Sequence, residues 1–225
     1  MKLLYSKIKK YTYEDALKIE ESDKQYKALQ ALEKTILDKD IFLALIIGNS
    51  IVCYQLSGTW EKYWEEFEQY FSNEKINFGN IVEKLIAFIS NSKNNKRFID
   101  TKIKRLLKLK SFLINFSWKG KIYSENFVLL RDEIAIELWQ KNTAKTVVFS
   151  IKMFSYWIKI AFWNNYQYPE EIHIPIDSRI TAIYDKYKED YIDIDRFYID
   201  LSRQMGIPML LLDWILWVNY KELMW

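Results

Sequence analysis

One lysine of this sequence lies in an apolar stretch where an amine could act as a nucleophile. Lys152 has Val148 four residues before it and Tyr156 four residues after it, so on a helix it lies on an apolar stripe. Burial disfavours the charged ammonium, and the neutral amine can attack a sugar C1′ to form a Schiff base. The heptad spacing of Lys145, Lys152 and Lys159 also allows a second interpretation, a solvated row of lysines with snorkelling stems.

A candidate carboxylate lies immediately before a predicted helix. Asp177 comes two residues after Pro175 and is followed by a helical pattern from Arg179. This position is typical of an N-terminal helix cap, where the side chain accepts bonds from backbone N–H groups. A carboxylate held there stays ionised, and it could stabilise positive charge on a sugar or assist a proton transfer.

A second carboxylate interrupts an apolar run near the end of the chain. Asp213 and Trp217 are four residues apart and share one face of a predicted helix. A carboxylate in such a run needs a partner, which is either a nearby protein group or a ligand, and the sequence leaves both open. Trp64 and Tyr156 are likewise either ligand platforms or core residues, since 17% of the chain is aromatic.

The elements that position these residues are predicted to be helices. Five glycines and three prolines are few for the turns of a multi-stranded β fold, and apolar residues recur with helical spacing. The sequence therefore predicts an all-α protein. The predicted helices cover residues 23–37, 41–56, 61–71, 81–89, 127–140, 145–163, 179–187, 194–205 and 208–222.

Two segments are distinctive in their pattern or charge. The predicted helices at 127–140 and 145–163 form a hairpin unit, with Asn142 or Thr143 as the expected N-cap of the second helix. Residues 93–110 contain eight lysines and arginines against the single acid Asp100. The first half of this segment reads as a linker, and the whole is either a solvated face or a phosphate-contacting surface.

Composition narrows the chemistry further. The formal net charge of +3 over 225 residues is too small to establish nucleic-acid binding. One cysteine and one histidine, Cys53 and His173, cannot make a Cys/His zinc site or a cysteine-ligated iron–sulfur cluster. Any metal site would therefore have to rest on carboxylates, and we expect no metal and no cofactor. We also expect a cytoplasmic protein, without a signal peptide or a membrane span.

Four segments in order along the chain resemble the archaeal GO glycosylases, a divergent branch of the helix–hairpin–helix DNA glycosylases. The resemblance implies an all-α, two-lobed helical bundle with a cleft between the lobes. It also implies a single domain over residues 1–225, with a helix–hairpin–helix-like unit at about 127–163. The segments are Asp23–Tyr26, Cys53–Gly58 leading to Trp64, Lys145–Met153 followed by Ile174–Arg179, and Gly206–Trp217.

The resemblance also implies an activity, namely excision of 8-oxoguanine followed by strand cleavage 3′ to the abasic site through a lysine Schiff base. Lys152 would be the nucleophile and Asp177 the catalytic carboxylate. The partner would be DNA containing 8-oxoguanine, and the protein would act as a monomer at the nucleoid. The residues implied to line the pocket for the flipped base are Gln25, Trp64, Tyr156, Asp213 and Trp217, with Pro175 contributing through its backbone.

In this pocket the Gln25 oxygen would bond the N7–H that 8-oxoguanine has and guanine lacks, while Asp213 would accept from the N1–H and N2 edge. Trp64 and Tyr156 would stack on the ring faces. Two features depart from relatives: the hairpin at 141–144 lacks a Gly-x-Gly pattern, and Leu211 stands where a more polar residue is common. Three alternatives stay open at this point: a glycosylase for another base, a non-catalytic DNA-binding module and a helical scaffold.

Overall fold

Helices account for the regular structure of the chain in the computed structural model, which describes residues 1–162 and 168–225. Within these ranges there are α-helices and no strands, so the all-α prediction is confirmed. None of the described helices is long and apolar enough to cross a membrane. The helices are α1 Lys2–Ile8, α2 Tyr13–Ser22, α3 Lys24–Glu33, α4 Lys39–Val52, α5 Trp60–Phe71, α6 Ile81–Asn91, α7 Ile99–Lys108, α8 Lys110–Ile114, α9 Lys119–Glu125, α10 Phe127–Leu138, α11 Lys145–Phe162, α12 Ser178–Tyr187, α13 Ile194–Met205, α14 Met209–Val218 and α15 Tyr220–Met224.

The helices group into two compact units. The larger unit spans Lys24–Gln167, of which residues 24–162 are described, and it contains α3 to α11. The smaller unit joins the two ends of the chain, Met1–Asp23 and Tyr168–Trp225, and contains α1, α2 and α12 to α15. The cleft expected between two lobes stays a prediction, as does the single domain over residues 1–225.

The core of the larger unit is built on α4. Asp38 caps this helix by accepting from the N–H groups of Asp40 and Ile41, both at 3.0 Å. The helix is apolar all round and buried from Phe42 to Val52, as expected of a helix enclosed by others. At Gly48 an added Cβ atom would lie 2.5 Å from the Leu85 Cδ1 atom of α6, so a larger residue there would displace the Leu85 side chain.

The second central helix, α11, packs chiefly against α4 and also contacts α3 and α10. Every residue from Val147 to Ile158 is buried. The helix was expected to extend to Trp163, which lies outside the described residues. Its N-terminus differs from the prediction: Val148 N–H bonds the Ala144 carbonyl at 3.0 Å, so Ala144 occupies the cap position rather than Asn142 or Thr143.

Three other predicted helices in the larger unit have shifted ends. The helix predicted at 23–37 is α3, which begins at Lys24 and ends at Glu33. After its end, the Thr35 hydroxyl donates to the Leu32 carbonyl at 2.8 Å. The helix predicted at 41–56 begins at Lys39 and ends at Val52, where Cys53 N–H closes onto the Ser50 carbonyl. The helix predicted at 127–140 ends at Leu138, since Trp139 adopts a left-handed conformation.

The smaller unit is organised around α14, which contacts α2 and α13. Gly206 ends α13 with φ +64°, the left-handed conformation that favours glycine. Pro208 occupies the N-cap of α14 rather than its first turn, which corrects the prediction by one position. The helix predicted at 208–222 is two helices, because the Asn219 side chain donates to the Ile215 carbonyl at 2.8 Å and accepts from Tyr11 at 2.8 Å.

The basic segment at 93–110 is only partly a solvated face. Its first part is irregular, as expected, and the rest forms α7. Lys102 on α7 is fully buried; its ammonium donates to Asn95 Oδ1 and lies 4.8 Å from the centre of the Tyr54 ring. Burial lowers the pKa of Lys102 to about 8, against a smaller opposite effect from Cys53. The solvated interpretation is therefore wrong for Lys102.

This burial predicts a specific pH dependence of stability. An unfolded lysine has a pKa near 10.4, so between about pH 8 and pH 10.4 the unfolded chain binds more protons than the folded one. The contribution of Lys102 to the free energy of unfolding should therefore rise with pH across this window, by up to a few kcal/mol. Denaturant titrations at pH 7.5, 9 and 10 should show the rise in wild type and not in Lys102→Met.

Lys104→Met is the matched control on the same helix, because the Lys104 side chain is exposed. It should retain the wild-type pH dependence. A Lys102→Met variant with that same dependence would contradict the prediction.

Candidate active site

Lys152 occupies a dry position in the middle of α11. Its side chain is only 3% exposed, and the residues one turn away on either side, Val148 and Tyr156, are also buried. Lys145 and Lys159 on the same helix are partly exposed, so the solvated-row interpretation is wrong for Lys152. A lysine on a rigid, buried helix has few rotamers available, and its amine is shielded from water, as covalent catalysis by an amine requires.

Gln25 lies on α3, which contacts both α5 and α11. The residue is 8% exposed, and its Oε1 atom is buried and accepts no hydrogen bond from any group in the described part of the chain. A buried acceptor without a donor costs free energy, and such groups concentrate at functional sites. The position therefore suits an oxygen that receives its donor from a ligand.

Two aromatic side chains predicted to stack on a base lie within the core of the larger unit. Tyr156 is fully buried on α11, with its ring edge-on to Tyr26 of α3 at 5.1 Å. Trp64 is fully buried on α5, 5.3 Å from Phe67 and 6.3 Å from Tyr63. This burial agrees with the interpretation of both rings as core residues, and their stacking role stays a prediction.

Asp177 is the N-terminal cap of α12, as predicted. One oxygen, Oδ1, accepts from the N–H groups of Arg179 at 2.9 Å and Ile180 at 3.0 Å. Its backbone is extended, and the loop before it is anchored by the buried residues Ile174 and Pro175. Two backbone donors therefore fix the orientation of the carboxylate.

Tyr198 is a buried residue with which both predicted acids of the smaller unit interact. Its hydroxyl donates to the Ile180 carbonyl in the first turn of α12, at 2.6 Å. Burial raises the pKa of Tyr198, and the negative charges of Asp213 and Asp177 raise it further. Asp213 itself is 4% exposed on α14. The smaller unit thus gathers negative charge around one phenol, an environment that favours developing positive charge nearby.

Arg179 is a residue whose role the sequence did not reveal. Its backbone N–H bonds Asp177, and its guanidinium carbon lies 3.8 Å from the centre of the Trp217 ring. Arg179 therefore contacts both the capped carboxylate of Asp177 and the Trp217 ring of α14. Its position beside Asp177 is visible in the sequence, but Trp217 is too distant along the chain for any spacing rule to pair the two.

The predicted site residues divide between the two units. The predicted site residues of the larger unit lie on α3, α5 and α11. Of these helices, α3 contacts both of the others. No group of three metal-ligating side chains occurs among the described residues. In the larger unit the residues are Gln25, Trp64, Lys152 and Tyr156, and in the smaller unit they are Pro175, Asp177, Asp213 and Trp217.

A family comparison covers almost the whole chain. Residues 5–224 match the family described as "AGOG: N-glycosylase/DNA lyase". The chain belongs to this family. A relative named "N-glycosylase/DNA lyase" from Thermococcus kodakarensis is 42% identical over 200 residues, covering 88% of this chain and 75% of the relative. Another relative of the same name, from Methanococcus maripaludis, is 38% identical, and the match covers 88% of this chain and 78% of the relative.

A solved structure supports the fold of this AGOG-family enzyme. The crystal structure of an 8-oxoguanine DNA glycosylase from Pyrobaculum aerophilum, complexed with 8-oxoguanosine, superimposes with a TM-score of 0.83. The two chains are 24% identical, and the match covers 98% of this chain and 87% of the other. The family match selects a glycosylase/lyase over the non-catalytic DNA-binding module and the scaffold.

The cap at Asp177 predicts a difference between two substitutions in this AGOG-family enzyme. Asp177→Ala removes the acceptor and should lower the free energy of unfolding by about 1 kcal/mol, whereas Asp177→Asn retains an oxygen and should cost much less. Denaturant unfolding measures both. Asp193→Ala, which removes the cap of α13, is the control and should resemble Asp177→Ala. Equal losses in the Ala and Asn variants of Asp177 would contradict the capping role.

Proposed function

We propose that this N-glycosylase/DNA lyase excises 8-oxoguanine from DNA, with Lys152 as the nucleophile and Asp177 as the catalytic carboxylate. The family supplies the reaction class, and the buried Oε1 atom of Gln25 carries the choice of base. In 8-oxoguanine N7 bears a hydrogen, whereas N7 of guanine is a bare acceptor. The Gln25 oxygen gains a hydrogen bond from the first base and faces lone-pair repulsion from the second.

The proposed reaction starts with extrusion of the damaged nucleotide from the helix. The Lys152 amine forms a bond to C1′ while the bond from C1′ to N9 breaks, and the base leaves with that electron pair. The amine then gives up its two protons, one to the departing base and one to O4′, and the C1′–O4′ bond breaks as the sugar ring opens, which gives an imine. Removal of a C2′ proton then expels the 3′ phosphate, which cleaves the strand 3′ to the lesion.

The remaining residues are assigned by their chemistry. Asp177 stabilises the positive charge that develops on the sugar, because two backbone N–H groups hold its carboxylate in one orientation. The buried carboxylate of Asp213 accepts from the N1–H and N2 edge of the base. Trp64, Tyr156 and Trp217 are proposed to enclose the base with Pro175.

A glycosylase for another damaged base remains the alternative, and cleavage of a panel of lesion duplexes distinguishes it. We further propose that the enzyme acts as a monomer and, because its substrate is DNA, at the nucleoid of the cytoplasm.

The nucleophile can be identified by trapping. Borohydride reduces the imine to a stable amine, so wild-type protein incubated with 8-oxoguanine DNA should form a covalent adduct visible on a denaturing gel. Lys152→Gln should form none. Lys159→Gln, one heptad along the same helix, is the matched control and should trap like wild type. An adduct persisting in Lys152→Gln would assign the nucleophile elsewhere.

The role of Gln25 predicts a loss of discrimination. In Gln25→Ala the acceptor for N7–H is gone, and the preference for 8-oxoguanine over guanine should fall by about tenfold, the worth of one buried hydrogen bond. Gln25→Met, which keeps the side-chain length without the oxygen, should behave alike. The measurement is the ratio of single-turnover rates or Kd values on lesion and undamaged duplexes. Equal losses on both would refute the reading role.

A further inference from the structure

An exposed surface of the larger unit combines aromatic and basic side chains outside all the proposed pocket residues. It is formed by α7 and by the hairpin that joins α10 to α11, and we call it the α7–hairpin surface. Arg105 fixes the two parts together, because its Nη2 donates to Gln140 Oε1 at 2.6 Å and to Thr146 Oγ1 at 2.8 Å. The residues that define the surface are Lys104, Arg105, Leu107, Lys108, Ile136, Trp139, Lys141 and Lys145.

Trp139 adopts an unusual conformation at the centre of this surface. Its φ is +54°, and its N–H and that of Gln140 bond the carbonyls of Ile136 and Ala135 at 3.0 and 2.9 Å. This pattern ends a helix at a position where glycine is usual, because other side chains are strained there. Yet the Trp139 side chain is 84% exposed and contributes almost no burial. Stability of the fold therefore does not explain a tryptophan here.

A cation accompanies the exposed ring. Lys108 Nζ lies 4.2 Å from the centre of the Trp139 ring, a cation–π distance that fixes the indole against α7. The exposed apolar residue Leu107 is adjacent to Lys108 in sequence, and the exposed Ile136 lies three residues before Trp139. The ring thus has a lysine beside it and remains largely open to solvent.

The charge of the surface selects a polyanion as the partner. Of the eight basic side chains in residues 93–110, Lys102 is buried and Lys110 pairs with Glu83 at 3.0 Å. The surface therefore takes its charge from the remaining basic residues of α7, which are Lys104, Arg105 and Lys108 against Asp100, and from Lys141 and Lys145, which residues 139–146 add with no acid. Asp132, which accepts from Asn142 of the hairpin, is already paired with Arg131 at 2.8 Å. Of the acids on α10, Glu137 is the nearest to Trp139 in sequence. A predominantly basic surface with an open indole matches the pattern of proteins that bind single strands.

We propose that Trp139 and Lys108 form a second DNA contact, in which an unpaired base stacks on the indole and an adjacent phosphate pairs with the lysine. A base inside a duplex already has neighbours on both faces, so only an unpaired base or an open duplex end can use this ring. The contact requires no damaged base. It is therefore independent of Lys152 and Gln25, and its failure would leave the proposed function untouched.

The test uses the full-length protein and undamaged DNA. Fluorescence anisotropy gives the Kd for a labelled 12-nucleotide oligo(dT) strand and for a 12-base-pair duplex whose two ends are closed by non-nucleotide linkers, so that no terminal base pair is open for stacking. In Trp139→Gly the single-strand Kd should rise about tenfold, within the range for loss of one stacked base, while the duplex Kd changes less than twofold. The melting temperature should stay the same or increase, since glycine favours this backbone conformation. Unchanged single-strand affinity, or equal losses for both probes, would overturn the proposal.

Trp118 supplies a matched control. It is also an exposed tryptophan with positive φ, 86% exposed at φ +67°. Its N–H bonds the Asp40 carboxylate at 2.6 Å, and no described lysine or arginine lies over its ring. Trp118→Gly should leave both Kd values unchanged. A loss of single-strand binding as large as that of Trp139→Gly would mean that any exposed indole suffices, and would refute the proposed contact.

The contribution of Lys108 can be tested separately, through the salt dependence of single-strand binding. Lys108→Gln should reduce the slope of log Kd against log salt for the single strand by about 0.7, the value for one lost phosphate contact. Lys104→Gln, on the same helix, would change the single-strand Kd, but the fold-change in that Kd caused by Trp139→Gly would stay the same. An unchanged slope in Lys108→Gln would contradict the phosphate contact.

Discussion

The packing of α11 against α4 is the constraint on which the larger unit depends. Both helices are apolar on nearly every face, so each must be enclosed by others, and α3, α6 and α10 provide that enclosure. Lys152 shares this environment because it occupies one position of a helix that is buried for three turns. The same packing that stabilises the fold therefore removes water from the amine and restricts its side chain, two conditions that covalent catalysis needs.

The main feature of the smaller unit is the Asp177 carboxylate, which is held in one orientation. Asp177 is fixed by backbone donors of its own helix, while Arg179 spans from that cap to Trp217. Tyr198 ties the first turn of α12 to α13 through the Ile180 carbonyl. Short, local interactions thus determine where the charge points, and they do not require a large core.

Much of this organisation could be predicted from the sequence. The helical class followed from apolar spacing and few turn residues, and the cap at Asp177 followed from its place before a helix. The stripe around Lys152 indicated burial, but spacing alone could not distinguish it from Lys145 and Lys159. Family resemblance made that distinction.

Other features depend on contacts that spacing rules do not contain. The buried state of Lys102 depends on Asn95 and Tyr54, and the strained end of α10 falls on a tryptophan where glycine would be expected. The break at Asn219 arises from a side-chain bond that competes with the helix. In each case a tertiary or side-chain interaction outweighed the local pattern.

The unsatisfied oxygen of Gln25 has a consequence for the energetics of recognition. This acceptor is buried and no described protein group donates to it, so the protein leaves its hydrogen bonding incomplete. In the proposed complex the damaged base completes the hydrogen bonding of the protein interior, as an internal side chain would. Undamaged guanine has no N7–H to donate, so the Gln25 oxygen would stay without a donor when guanine enters. The enzyme would thus discriminate through a hydrogen bond of its own interior that only the oxidised base completes.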